Sequence, residues 1–126
     1  MATISRFQDL EAWQDARALV RQVYAHTREG TFSRDFGLRD QIQRAAVSIM
    51  ANIAEGFERK SRKELSHYLR IARGSCSEVQ SHLYVALDVG FINQQEFKEL
   101  EAQTIKVGSK ISGFQRYLKR DNGPSA

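Results

Sequence analysis

Apolar residues recur along this chain at alternating steps of three and four. One series runs Leu65, Leu69, Ala72, Cys76, Val79, Leu83, Ala86, and another Phe97, Leu100, Thr104, Val107, Ile111, Phe114, Leu118. Near the start, Trp13, Ala16, Val20, Val23 and Thr27 follow the same spacing, and between them lies Leu38, Ile42, Ala45, Ile49, then Asn52. A repeat of about 3.5 residues keeps one seam turned toward neighbouring helices that cross at a shallow angle. Four such seams predict an all-α fold, an up-down-up-down four-helix bundle with left-handed heptad-type packing. The helices are expected at about 8–28, 34–55, 62–88 and 94–119, within one domain over about 1–120 and ahead of a flexible tail at about 121–126.

The expected ends rest on local chemistry. Asp9 and Glu11 favour a positive helix N-terminus, and Gly30 closes the first helix. Ser33 reads as the N-cap of the second, with Gly56 as its stop. Ser61-x-x-Glu64 and Asn93-x-x-Glu96 are capping boxes for the third and fourth, with Ile92 and Phe97 as a hydrophobic staple and Gly90 between the two helices. The short connections favour antiparallel neighbours.

The second helix has more apolar surface than one seam requires. With Leu38 at zero on a wheel of about 100° per residue, Ile42, Ala45, Ile49 and Ile53 cluster within roughly 60° of it, whereas Met50, Ala54 and Val47 fall at roughly 120–180°. A bundle helix needs a single apolar stripe, so the additional one predicts self-association; scattered surface apolar residues are the plain alternative. Beside the seam run Gln41, Arg44, Ser48, Asn52 and Glu55. An amide at a heptad position must be hydrogen-bonded when buried and often fixes register or oligomeric state. In the third helix Gly74, Ser77 and Ser81 form a small-residue stripe beside Glu78. A structural polar network of Arg44, Ser48, Asn52, Ser77 and Glu78 is therefore expected.

Composition narrows the field. Hydrophobic residues make up 41% and charged residues 27% of the chain, which is a globular balance. No apolar run approaches the roughly 20 residues that span a bilayer, and Met1–Arg6 leads into no apolar stretch, so neither a membrane partner nor a secretory signal is expected. With a single cysteine, Cys76, a cytoplasmic location is the default. Lysine and arginine number 19 against 15 acids, giving +4. The distribution matters more: Arg59, Lys60, Arg62, Lys63, Arg70 and Arg73 cluster with Glu64 as the sole acid among them, and the end of the chain adds Lys106, Lys110, Arg116, Lys119 and Arg120. These six clustered cations are the candidate nucleic-acid-binding residues, with an ordinary solvated helix face as the alternative. Tyr68 is the one aromatic among them, so base stacking is not expected.

Catalytic and metal sites are not expected. Glu64-x-x-His67 matches one half of a ferritin-like di-metal motif, but the second pair and the additional glutamates are missing. Cys76 lies on the core seam, where a thiol acts as a small hydrophobe. His26 and His82 show no evident acid or metal partner, and no nucleophile–base–orienter set is visible. No cofactor is predicted.

Several separated motifs carry a family resemblance: Phe7-x-Asp-Leu-Glu-Ala-Trp13, Gly37-Leu-Arg-Asp-Gln-Ile-Gln-Arg-Ala-Ala-Val-Ser-Ile49, Ala51-Asn-Ile-Ala-Glu-Gly56, Ile71-Ala-x-Gly-Ser75 with Glu78, and Gly90-Phe-Ile92. Over residues 7 to about 118 the chain resembles the four-helix-bundle proteins encoded in intervening sequences of bacterial 23S ribosomal RNA genes. Many relatives have proline where this chain has Met50; a proline there would kink the second helix, so a straighter helix is expected here. The resemblance implies ring-shaped homopentamers. It also implies kinship with accessory proteins of diversity-generating retroelements, which bind nucleic acid and reverse transcriptase. The expected function is a non-enzymatic homo-oligomer, a pentamer by resemblance, that binds RNA or DNA electrostatically. The alternative is an adaptor whose basic face meets an acidic partner protein, such as a reverse transcriptase.

Overall fold

The computed structural model describes residues 3–121. Four helices dominate: α1 (Glu11–Thr27), α2 (Phe36–Glu58), α3 (Arg62–Asp88) and α4 (Gln94–Asp121). Short 3-10 turns at Phe7–Asp9 and Gly30–Arg34 precede α1 and α2. Each helix packs on its neighbours in the chain, and α4 closes the ring against α1. The tail expected from residue 121 lies, from 122 onward, outside the described residues.

The core follows the heptad seams closely in α3 and α4. Leu65 through Ala86 are buried at every predicted position, as are Phe97, Leu100, Thr104, Val107, Ile111 and Leu118, with Phe114 half-buried. In α1 the seam is rotated. Ala12, Ala16, Leu19, Val23 and Thr27 are buried, whereas Trp13 and Val20 are half-buried at the edge. The α1 apolar stripe is wide enough for two registers of three-four spacing. Trp13 is held at the edge by an edge-on contact with Phe7, ring centroids 5.2 Å apart, and by the Arg17 guanidinium over its ring. Thr27 and Thr104 enter the core by donating to the carbonyls of Val23 and Leu100, at 2.8 and 2.7 Å. Such back-bonding satisfies a hydroxyl that burial would otherwise penalise.

Three helix ends differ from the sequence reading. α1 starts at Glu11, because residues 7–9 form a separate 3-10 turn. α2 is capped by Asp35, whose carboxylate accepts from the Leu38 amide at 3.0 Å; the Ser33 hydroxyl donates instead to the Gly30 carbonyl inside the preceding turn. α2 also runs past Gly56 to Glu58. Gly56 is buried where α3 crosses, and a Cβ there would stand 2.7 Å from Tyr68 Cβ and 3.1 Å from Leu65 Cδ1. It is a contact point between helices, and the left-handed residue that turns the chain is Lys60, at φ 58°. The other ends match. Gly90, at φ 83°, completes a Schellman motif in which Phe91 donates to the Ala86 carbonyl. Asn93 and Glu96 cap each other reciprocally at 2.8 and 2.9 Å.

The extra apolar surface of α2 divides between neighbours. Met50 packs against the core edge and Ala54 is half-buried, while Val47 remains 39% exposed beside exposed Ala51.

Candidate nucleic-acid interface

The six clustered cations occupy different environments. Arg59 is held in place: its guanidinium lies 2.9 Å from Glu55 and 3.7 Å from Glu64, donates to the Tyr68 hydroxyl at 2.9 Å and covers the Tyr68 ring. Tyr68 and Glu55 together raise its pKa above the ordinary arginine value. Lys60 lies over the Phe57 ring, and Lys63 is exposed. Arg62, the first residue of α3, reaches the Leu118 carbonyl near the end of α4 at 3.5 Å. Arg73 also crosses to α4. It donates to the Gly108 carbonyl at 2.8 Å and to the Ser112 hydroxyl. Arg70, between those two crossings, remains exposed.

Arg70 opens into a concavity of about 430 Å³ between α3 and α4, lined by Ser66, Arg70, Ser112, Gln115, Arg116 and Lys119. The antiparallel crossing creates it. Arg62 against Leu118 fixes one end and Arg73 against Gly108 the other, and both helices turn basic positions toward the space between. Ser66, Ser112 and Gln115 are half-buried, and the three cations are exposed. Among the described residues no carboxylate lines the groove, and no ion pair engages Arg70, Arg116 or Lys119. The α1 side of α4 is different. Lys106 lies 3.6 Å from Asp15, and Lys110 is bonded to Glu11, a hydrogen bond that holds the Glu11 carboxyl below its ordinary value. The +4 of the chain therefore divides unequally, with α4 neutralised on one flank and uncompensated on the other.

Of the groove's three cations, Arg70 belongs to the site expected from the sequence, and Arg116 and Lys119 are additional to it. The signal was present in part. From Thr104 to Arg120 the chain has five basic residues and no acid, and antiparallel α3 and α4 must place this run beside residues 62–73. Which flank of α4 would meet the acids of α1 required the packed structure.

The polar network has a different membership from the one expected. The Asn52 amide donates to the Ser48 carbonyl at 2.8 Å and to the Ser48 hydroxyl at 2.9 Å. The link to α3 is Ser75, whose hydroxyl donates to that of Ser48 at 3.0 Å. Ser77 is exposed, Glu78 faces His82 on its own helix at 3.5 Å, and exposed Arg44 lines a shallow α1–α2 groove beside Tyr24 and Val47. His26 and His82, expected to lack acid partners, both have acid neighbours, since His26 lies 3.8 Å from Glu96 where α1 meets α4. The Glu78-to-His82 spacing of four residues was legible in the sequence. Glu64 and His67 diverge, Glu64 toward Arg59 and His67 edge-on to Tyr68. Among the described residues no group of three or more metal-ligating side chains stands together. Burial pushes the Cys76 thiol up to about 11, so it is protonated at neutral pH, when a thiolate would be the nucleophile. No helix among the described residues is long and apolar enough to cross a membrane.

Comparison with known proteins agrees with this architecture. A crystal structure of a protein of unknown function from the S23 ribosomal protein family of Bacteroides thetaiotaomicron VPI-5482 superposes with a TM-score of 0.75 at 18% identity, over 82% of this chain and 97% of that one. At that identity the likeness concerns the fold. No curated protein matches the chain. The family model described as 23S rRNA-intervening sequence protein matches residues 8–113, a stretch that contains Arg70 and stops short of Arg116 and Lys119. With four-fifths of its length matched by that family model, the chain belongs to the 23S rRNA-intervening sequence protein family.

Proposed function

We propose that this protein is a non-enzymatic homo-oligomer that binds RNA or DNA through the phosphate backbone, with the α3–α4 groove as the contact surface. The observation that carries the reading is the charge of Arg70, Arg116 and Lys119 in a concavity that no carboxylate of the described residues lines. Cations at such a surface displace condensed counterions from a polynucleotide, which gives strong salt dependence and little sequence choice. Assembly strengthens the effect. Exposed Val47 and Ala51 on α2 provide a self-association surface, and a ring of five, the number implied by the family resemblance, would carry about +20 and focus that field.

Electrophoretic mobility shift with generic RNA and duplex DNA at two salt concentrations tests this. Arg70→Glu with Arg116→Glu should weaken binding of every sequence by at least about tenfold and flatten the log–log salt slope by about 0.7–0.9 per lost phosphate contact. Lys106→Gln with Lys110→Gln, on the neutralised flank, should change it little. An Arg62→Glu, Lys63→Glu pair measures how far the site extends toward the α2–α3 turn. If the wild-type chain binds neither nucleic acid at low salt, the proposal is wrong and an acidic protein partner takes its place.

A further inference from the structure

The groove is shaped for something more specific than a passing backbone. A strand lying along a flat surface meets cations in a row, each next to one diester. Here three cations surround a single concavity whose half-buried floor is made of neutral polar groups. The floor is also biased toward donation. Arg73 donates to the Ser112 oxygen and is itself fixed by the Gly108 carbonyl. A hydroxyl that accepts from arginine retains its own proton to give, and no acceptor for that proton occurs among the described residues. Ser66 and the Gln115 amide can donate in the same way, and arginine and lysine can only donate. The pocket is therefore rich in donors, and no carboxylate of the described residues lines it to repel an anion.

An internal phosphodiester carries one negative charge and two non-bridging oxygens. A terminal phosphomonoester carries about −1.5 to −2 at neutral pH and presents three strong acceptor oxygens. Three cations with three neutral donors match the monoester better on both charge and hydrogen-bond count. The volume of about 430 Å³ lies within the range of about 300–1,000 Å³ common for small-ligand sites, so a terminal nucleotide can enter with its phosphate. We infer that the α3–α4 groove recognises the terminal phosphomonoester of a polynucleotide strand. The groove would thereby distinguish a phosphorylated end from a hydroxyl end. The inference rests on the nucleic-acid reading of this same groove.

The test is fluorescence anisotropy with one short, unstructured RNA prepared in three forms: 5′-phosphate, 3′-phosphate, and hydroxyl at both ends. At about pH 7.5 one of the phosphorylated forms should bind at least about tenfold more tightly than the hydroxyl form, and the two phosphorylated arms identify which end is read. The preference should shrink as the pH falls from about 7.5 to about 5.5, because the monoester takes up its second proton near pH 6 and approaches the charge of a diester. Ser112→Ala and Arg116→Gln should each reduce the preference for the phosphorylated end more than they reduce binding of the hydroxyl form. Equal affinity for all three RNAs, with salt-dependent binding intact, overturns end recognition and leaves the proposed function standing. Failure of all three to bind overturns end recognition, and the mobility shifts with generic RNA and duplex DNA then decide the proposed function separately.

Discussion

Gly56 and Gly74 lie inside neighbouring helices, and substitution should move stability in opposite directions. At Gly56 an added Cβ meets Tyr68 Cβ at 2.7 Å. That atom is bonded to the α3 backbone, so α2 and α3 must separate. Gly56→Ala gains about 1 kcal/mol of helix propensity but should still be destabilising, because overpacking costs typically about 1–3 kcal/mol and here it also disturbs the Leu65 contact. Urea denaturation should show a lower midpoint. At Gly74 nothing beyond its own turn of helix stands within 4 Å of an added Cβ, so Gly74→Ala should raise stability by about 0.5–1 kcal/mol. A loss at Gly74, accompanied by a lower assembly mass, would place this surface against another copy. Cys76 makes a prediction about pH. Its thiol holds its proton up to about pH 11 in the folded state, against about 8.5 for a free cysteine. Between those values the folded chain binds more protons than the unfolded one, so stability must fall as pH rises. Chemical denaturation at about pH 8 and about pH 10.5 should show a larger decline for the wild type than for Cys76→Ala.

At the scale of elements, the helix ends offer a direct comparison. Asp35 accepts from the Leu38 amide and caps α2, whereas Ser33 bonds within the preceding turn. Asp35→Ala should therefore cost about 0.5–2 kcal/mol, with Ser33→Ala costing less. Equal losses in thermal or urea unfolding would mean that the turn and the cap act as one unit. Asn93→Ala should cost as much as Asp35→Ala or more, since it removes one half of a reciprocal pair with Glu96. Across the α3–α4 pairing, Arg62 and Arg73 reach backbone carbonyls of α4. These cations were legible as a cluster in the sequence, but their roles diverge. Arg73 is a strap between helices, and Arg70, one turn before it, faces the groove.

At the scale of the whole molecule, two properties are expected to depend on each other. Val47 and Ala51 leave apolar surface on α2, while the uncompensated cations lie in the α3–α4 groove. Val47→Glu places a charge on the first surface without touching the second. Light scattering should give several times 14.4 kDa for the wild type and a smaller mass for Val47→Glu. Nucleic-acid affinity should fall with the mass, because contacts made by linked copies add. A strictly monomeric wild type at micromolar concentration would sink the oligomeric part of the proposal.

By itself the sequence determined the bundle. The seams from Leu65 to Ala86 and, with Phe114 half-buried, from Phe97 to Leu118 are buried as their spacing requires, because a 3.5-residue repeat leaves an α-helix one face to bury. It also determined the ends at Gly90 and Asn93, where backbone geometry and capping are local matters. Tertiary structure decided the rest. Gly56 reads as a stop in one dimension and becomes a crossing point in three. The α1 seam fits two registers until neighbouring helices choose Leu19 over Val20. From Thr104 to Arg120 α4 reads as uniformly basic along the chain, yet Glu11 and Asp15 of α1 neutralise one flank and leave the other open. Helix periodicity tells which face a residue occupies; which charges it meets there depends on how distant segments pack.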